Sequence, residues 1–131
     1  MKKLILLIPT LLLSLNTTAQ NSSCAINTSG IYVARVDSSL NVFLKFYGTD
    51  SVVTTASEID SKVANKYITK DQKKFIMHGK YSLNGCFLKI KVEGMDGKAK
   101  LEGYIINQNI GLSNVNLMNN TYTDLFFFYK E

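Results

Sequence analysis

Residues 78–106, with the sequence HGKYSLNGCFLKIKVEGMDGKAKLEGYII, carry the clearest structural pattern in the chain. Apolar and polar side chains alternate along most of this stretch, which is typical of half-buried β-strands. Two turn sequences divide it. Asn84-Gly85 favours a two-residue hairpin turn, and residues 94–97, Gly-Met-Asp-Gly, favour a four-residue loop. The pattern therefore predicts three consecutive antiparallel strands.

The two turns predict a register for these strands. The first turn is expected to pair Leu83 with Cys86, Tyr81 with Leu88 and Lys80 with Lys89. The second is expected to pair Glu93 with Lys98, Val92 with Ala99, Lys91 with Lys100, Ile90 with Leu101 and Lys89 with Glu102. A displacement of one residue would move every side chain to the opposite face, so the hydrophobic pattern constrains the register.

This register separates apolar from charged side chains. The expected core face holds Leu83, Cys86, Leu88, Ile90, Val92, Ala99, Leu101 and Ile105. The opposite face holds Lys89, Lys91, Glu93, Lys98, Lys100 and Glu102. We interpret the charged set as a solvated sheet face with opposite-charge pairs across the strands, the alternative being a binding patch for an acidic ligand.

The remaining chain predicts further short strands and one helix. Strands are expected over residues 30–37, 42–47, 52–56, 110–117 and 124–130. Residues 57–68 predict a helix, because Ser57 and Asp60 resemble a capping box. Ile59, Val63 and Tyr67 recur at four-residue spacing and would form the apolar face. Such a helix would cap a barrel mouth or lie against the side of the barrel.

The C-terminal strand indicates how the sheet ends. Residues 125–129, Leu-Phe-Phe-Phe-Tyr, are apolar on both faces and would promote aggregation as an exposed edge. Pairing residues 124–130 with residues 30–37 removes that edge. The predicted fold is therefore an all-β, eight-stranded, antiparallel up-and-down barrel with one short helix.

The N-terminal residues predict export. Lys2 and Lys3 precede an apolar run, and Thr17-Thr18-Ala19 offers a cleavage site before Gln20. We expect residues 1–19 to be a signal peptide, 20–28 a leader and 29–131 the barrel domain. Lipidation at Cys24 is the less favoured alternative, because this residue lies well beyond the apolar run. The mature chain would be secreted or periplasmic.

Charge and hydropathy narrow the classes of partner. Loss of Lys2 and Lys3 would leave 13 basic residues against 10 acidic ones, a net charge of +3 instead of +5. This balance is ordinary for a soluble surface and does not indicate nucleic-acid binding. The N-terminal apolar run is shorter than the ~20 residues of a spanning helix, so no stable membrane insertion is expected.

Both cysteines remain after the predicted cleavage. Export would place them in an oxidising compartment, which favours a Cys24–Cys86 disulfide. The alternative is a buried free Cys86 with Cys24 in a mobile leader. A redox role is not expected, because the two residues do not form a C-x-x-C motif.

Three short motifs resemble the small secreted lipocalin-like (calycin-like) barrel proteins of Gram-negative bacteria. They are Gly30-Ile31-Tyr32, the run FLKFYG over residues 43–48, and Gly79-Lys80-Tyr81. Lipocalins proper open with Gly-x-Trp, and Tyr32 stands at that aromatic position. The resemblance spans residues 29–130 and implies a barrel that binds a small ligand.

The sequence provides little for catalysis. His78 is the single histidine, and we interpret it as a solvated or hydrogen-bonded residue near the start of a strand. No nucleophile elbow, zinc-protease helix or phosphate-binding loop occurs, and no Cys/His cluster has metal-ligand spacing. We expect no enzyme activity, no catalytic residue, no metal and no cofactor.

Two function classes remain. The first is an exported binding barrel for a small apolar or amphipathic ligand, held inside the mouth near the helix, with Tyr67 as the best candidate contact. The alternative is an envelope protein-interaction or inhibitor module that uses its loops or the Phe126/Phe128 face. A lined internal void favours the first class, and a filled interior with an outer apolar patch favours the second.

Overall fold

Eight antiparallel strands close into a barrel in a computed structural model that describes residues 24–69, 76–95 and 97–131. The strands are β1 (Ile31–Arg35), β2 (Asn41–Tyr47), β3 (Ser51–Ser57), β4 (Met77–Asn84), β5 (Phe87–Gly94), β6 (Gly97–Ile106), β7 (Asn109–Asn116) and β8 (Thr121–Lys130). One helix, α1 (Ser61–Tyr67), lies between β3 and β4. The predicted signal peptide, residues 1–19, lies outside the described residues.

The predicted closure of the barrel is confirmed. Strands β1 and β8 pair antiparallel, with Ile31 opposite Lys130, Tyr32 opposite Tyr129 and Val33 opposite Phe128. Every other strand pairs with its neighbours in sequence, so the described barrel has up-and-down topology. Closure gives the apolar strand β8 a hydrogen-bonded partner on each side.

The predicted register is correct at the second turn and wrong at the first. Glu93 pairs with Lys98 as expected, but Leu83 pairs with Leu88 rather than with Cys86. Gly85 and Cys86 form the first turn, and Gly85 has a φ of 61°. Type II′ hairpin turns favour glycine at the first central position, which explains this placement. The displacement is two residues, so the side chains of the paired strands stay on their predicted faces, whereas Cys86, predicted on the core face, lies in the turn.

Apolar side chains fill the middle of the barrel. Leu88, Ile90, Val92 and Leu101 are buried, whereas Lys89, Lys91 and Lys98 are exposed and Lys100 is half-buried. Four aromatic rings pack in series toward one end, with the pairs Tyr129–Tyr32, Tyr32–Phe46 and Phe46–Tyr81 separated by 5.2, 5.5 and 4.9 Å. An eight-stranded barrel is just wide enough for its own side chains to fill.

The helix differs from its prediction in both its start and its buried face. Asp60, not Ser57, is the N-cap, and its carboxylate accepts a hydrogen bond from the Lys62 backbone N at 2.8 Å. Ser57 belongs to β3. The predicted face is exposed, because the helix instead buries Ala64 and the adjoining Ile68. The exposed residues are Ile59, Val63 and Tyr67.

The helix lies against the side of the barrel rather than across its mouth. Ala64 and Ile68 pack on the outward residues Ile31, Phe43 and Val53 of the first three strands. Two hydrogen bonds fix the contact at 2.8 Å each, from Lys45 Nζ to the Asn65 carbonyl and from the Tyr47 hydroxyl to the Ile68 carbonyl. Burial under the helix lowers the pKa of Lys45.

A disulfide attaches the leader to the barrel. Cys24 and Cys86 form the expected pair, with Cα atoms 4.9 Å apart. Ile26 packs against the barrel core, and the Asn27 backbone N donates a 3.0 Å hydrogen bond to the Tyr32 hydroxyl. We call this the leader end, and the end with residues 36–40 and 117–120 the distal end. Among the described residues, no helix has the length and hydropathy that a membrane crossing requires.

Truncating a side chain should lower the free energy of unfolding more on the core face of the sheet than on its outer face. We expect Ile90→Ala to lower the free energy of unfolding by ~2–5 kcal/mol, because it leaves a cavity in the filled interior. Lys91→Ala, on the adjacent outward position, should change it by no more than ~0.5 kcal/mol. Urea titrations of both variants measure the difference, and similar costs would contradict the assigned faces.

The leader disulfide should make a large contribution to stability. Its residues are 62 positions apart, so the chain-entropy model gives ~4 kcal/mol for the cross-link. We expect the double variant Cys24→Ser/Cys86→Ser to lose about this amount in guanidinium unfolding. Treatment with a reductant should weaken the wild type and leave the double variant unchanged. Equal stability of the two oxidised proteins would contradict the assignment.

Candidate functional site

A recess of about 320 Å³ opens at the distal end of the barrel. Its wall includes five residues at inward positions, Thr54, Met77, Ala99, Asn114 and Asn116. Small and polar side chains replace the large apolar ones that fill the middle of the barrel. The recess is therefore a concave, half-polar mouth above a packed core.

Two of these polar groups are buried. Thr54 is only 4% exposed, although its neighbours on the same face are apolar. The Asn114 Oδ1 atom is buried, and no hydrogen-bond donor reaches it within the described part of the chain. Asn116 differs, because its Oδ1 accepts a 2.9 Å hydrogen bond from the Met118 backbone N. An unsatisfied buried acceptor costs free energy, so Asn114 is an unusual residue for a purely structural position.

The leader end holds a larger groove of about 710 Å³. The disulfide and Ile26 line one side, and Tyr32, Ile105 and Tyr129 line another. Burial raises the pKa of the Tyr32 phenol, while the hydrogen bond from Asn27 acts in the opposite direction. Cys24 and Ile26 of the leader pack against the core at this end, and residues 24–28 form part of the wall of the groove.

An apolar surface covers part of the outside of the barrel. We call it the aromatic face, and it consists of Phe87, Tyr104, Ile106, Phe126 and Phe128. Phe126 and Phe128 are 44% and 52% exposed, with ring centroids 5.0 Å apart. Phe87 and Tyr104, on the neighbouring strands β5 and β6, pack with tilted rings whose centroids are 5.1 Å apart. Gly111 lies between Tyr104 and Phe126 in the sheet, and the Phe126 ring lies beside it.

The structure places the predicted site residues in different regions. Tyr67 ends α1 on the outer side of the barrel, where it is 68% exposed, and it lines neither the distal recess nor the leader groove. Its role as a ligand contact stays a prediction. Cys24 and Cys86 lie in the wall of the leader groove. His78 is half-buried on β4 at an outward position.

Sequence reasoning did not single out Thr54 and Asn114. The signal was present in the alternation of β7, in which Ile110, Leu112 and Asn114 occupy successive inward positions. Extending the period of two along the strand would have placed an amide in the interior.

No protein-family model, curated protein or solved structure matches this chain. Within the described ranges, no group of three His, Cys, Asp or Glu side chains is placed to hold a metal ion. Three of the features described above could bind another molecule: the distal recess, the leader groove and the aromatic face.

The unpaired Asn114 Oδ1 should affect the free energy of unfolding measurably. We expect Asn114→Leu to leave the free energy of unfolding unchanged or to raise it by about 1 kcal/mol, because it removes a buried acceptor without a partner. Leu112→Asn, at the preceding inward position, should instead cost ~3 kcal/mol or more. Thermal and urea unfolding test both variants. A loss above 1 kcal/mol for Asn114→Leu would show that the amide has a structural partner.

Proposed function

We propose that this chain is an exported, non-catalytic binding barrel that holds a small amphipathic ligand in the distal recess. The observation that carries the proposal is Asn114, a residue in the wall of the recess whose buried Oδ1 has no donor within the described residues. Binding sites retain such groups because a ligand supplies the missing hydrogen-bond partner. The desolvation of the polar group is then compensated only in the complex with the ligand.

The lining of the recess suggests the class of ligand. Met77, Ala99 and Ile76 offer apolar contacts, while Asn114 offers one hydrogen-bond acceptor at the inner wall. The volume of about 320 Å³ lies at the lower end of the range for small-molecule sites. A short apolar molecule with one hydroxyl or amide donor fits this chemistry, whereas a large lipid does not.

Several features support export. The disulfide between Cys24 and Cys86 is typical of proteins in oxidising compartments. The charged and apolar pattern of residues 1–19 is that of a signal peptide. The closed up-and-down barrel also agrees with the resemblance to lipocalin-like proteins, which are secreted. We therefore place the protein in the periplasm or outside the cell.

The aromatic face favours a second candidate function, an envelope protein-interaction or inhibitor module. Contiguous exposed aromatic side chains are uncommon on monomeric proteins and are often binding surfaces. The filled middle of the barrel also agrees with this class. This second function does not explain the buried Asn114 Oδ1 without a donor, so we rank it second.

Ligand titration tests the first candidate. A neutral fluorescent probe with one hydroxyl and a short alkyl chain should bind saturably, and Asn114→Leu should weaken it about tenfold, equivalent to one lost buried hydrogen bond. Tyr67→Ala should leave the affinity unchanged, because Tyr67 lies outside the recess. Fluorescence titration and displacement by the unlabelled alcohol measure both.

The matched control for this titration is Asn84→Leu, the same substitution at an exposed position on β4. It should bind the probe like the wild type. Saturable binding that Asn114→Leu retains in full would contradict the assigned site. Absence of saturable binding in the wild type would contradict the ligand-binding function and favour the protein-interaction candidate.

A further inference from the structure

Three lysines lie directly opposite one another on the outside of the barrel. Lys80 on β4 pairs with Lys91 on β5, and Lys91 pairs with Lys100 on β6. Adjacent strands are about 4.8 Å apart, so the three side chains leave the sheet as one row. Like charges directly opposite each other destabilise a sheet. The arrangement therefore works against stability at three successive positions.

Neighbouring carboxylates neutralise only the two ends of this row. Lys80 lies 3.6 Å from Asp50, and Lys100 lies 2.9 Å from Glu102. Lys91, in the centre, has no carboxylate within ion-pair distance in the described part of the chain. The hydrogen bond from Lys100 lowers the pKa of Glu102, and the charges of Lys89 and Lys91 lower it further. Among the three lysines of the row, Lys91 is therefore the one without an ion pair in the described part of the chain.

A shallow hollow adjoins the centre of the row. It has a volume of about 340 Å³, and its wall combines the apolar residues Val92, Ala99 and Leu117 with His78, Lys80, Lys91 and Lys98. Gly79 forms part of its floor, where β4 and β5 are so close that an added Cβ would collide with the Lys91 carbonyl oxygen.

We infer that this hollow binds a small multivalent anion, with Lys91 as the central contact and Lys80 and Lys98 as flanking contacts. An anion placed over the row would relieve the repulsion among the lysines. Because this repulsion destabilises only the anion-free protein, its relief favours binding. Glu93 also lines the hollow, and its carboxylate lies 3.9 Å from Lys98. A bound anion must displace or share that contact, so its charged groups lie toward Lys80 and Lys91.

The expected ligand is a compact molecule with two or more carboxylate or phosphate groups. Lysine binds either group as a point charge and does not require the planar, bidentate geometry of arginine. The site is separate from the distal recess, because the amide of Asn114 lies inside the barrel and the lysine row lies outside. The inference therefore stands or fails independently of the proposed function.

Calorimetric titration at constant ionic strength tests the inference. Citrate or inorganic pyrophosphate should bind the wild type saturably, and the stronger of the two identifies the preferred group. Lys91→Gln should weaken binding at least tenfold while leaving the melting temperature in the absence of anion unchanged or higher. Lys62→Gln, which removes the same charge from the exposed face of α1, should change affinity less than twofold.

Three results would overturn the inference. The first is absence of saturable binding of both anions to the wild type. The second is an equal loss of affinity in Lys91→Gln and Lys62→Gln, which would show that only net charge matters. The third is an equal gain in melting temperature from sodium chloride at matched ionic strength, which would show screening of the lysine repulsion without a site.

Discussion

The pairing of β1 with β8 is the constraint on which the rest of the structure depends. Strand β1 has only five residues, yet its hydrogen bonds to β8 turn an open sheet into a barrel. In the closed sheet, each strand residue points either into the barrel or out of it. Residues that pair across neighbouring strands point the same way, and this holds around all eight described strands. The packed core, the polar recess and the lysine row are consequences of that one assignment.

The fold could be predicted well from the sequence because apolar and polar side chains alternate along its strands. The alternation over residues 86–106 identified the buried face, and the double-sided apolar strand at the C-terminus required a partner. The wrong register at the first turn follows from the same property, since a displacement of two residues leaves every face unchanged. The helix face was mistaken because Asp60 starts the helix later, and tertiary contacts with Phe43 and Val53 select Ala64 and Ile68.

The candidate sites were less predictable because they depend on which groups remain without partners. An asparagine at an inward position can be satisfied by a neighbour or left free, and the sequence does not distinguish Asn114 from Asn116. The pairing of Lys91 with Lys100 was predicted from the sequence, but the pairing of Lys80 with Lys91, which completes the row, depends on the observed register at the first turn. Tyr67 was chosen on the assumption that the helix covers the mouth, and the helix lies on the side of the barrel.

The leader disulfide divides the barrel into two mechanically different halves. The covalent ring between Cys24 and Cys86 contains the first four strands and the helix, whereas β5 to β8 lie beyond it. A force on the last strand would first peel β8 away from β1 and then unravel the strands that follow the ring. The released segment, residues 87–131, would extend by about 150 Å, and the ring would add no length until its disulfide was reduced.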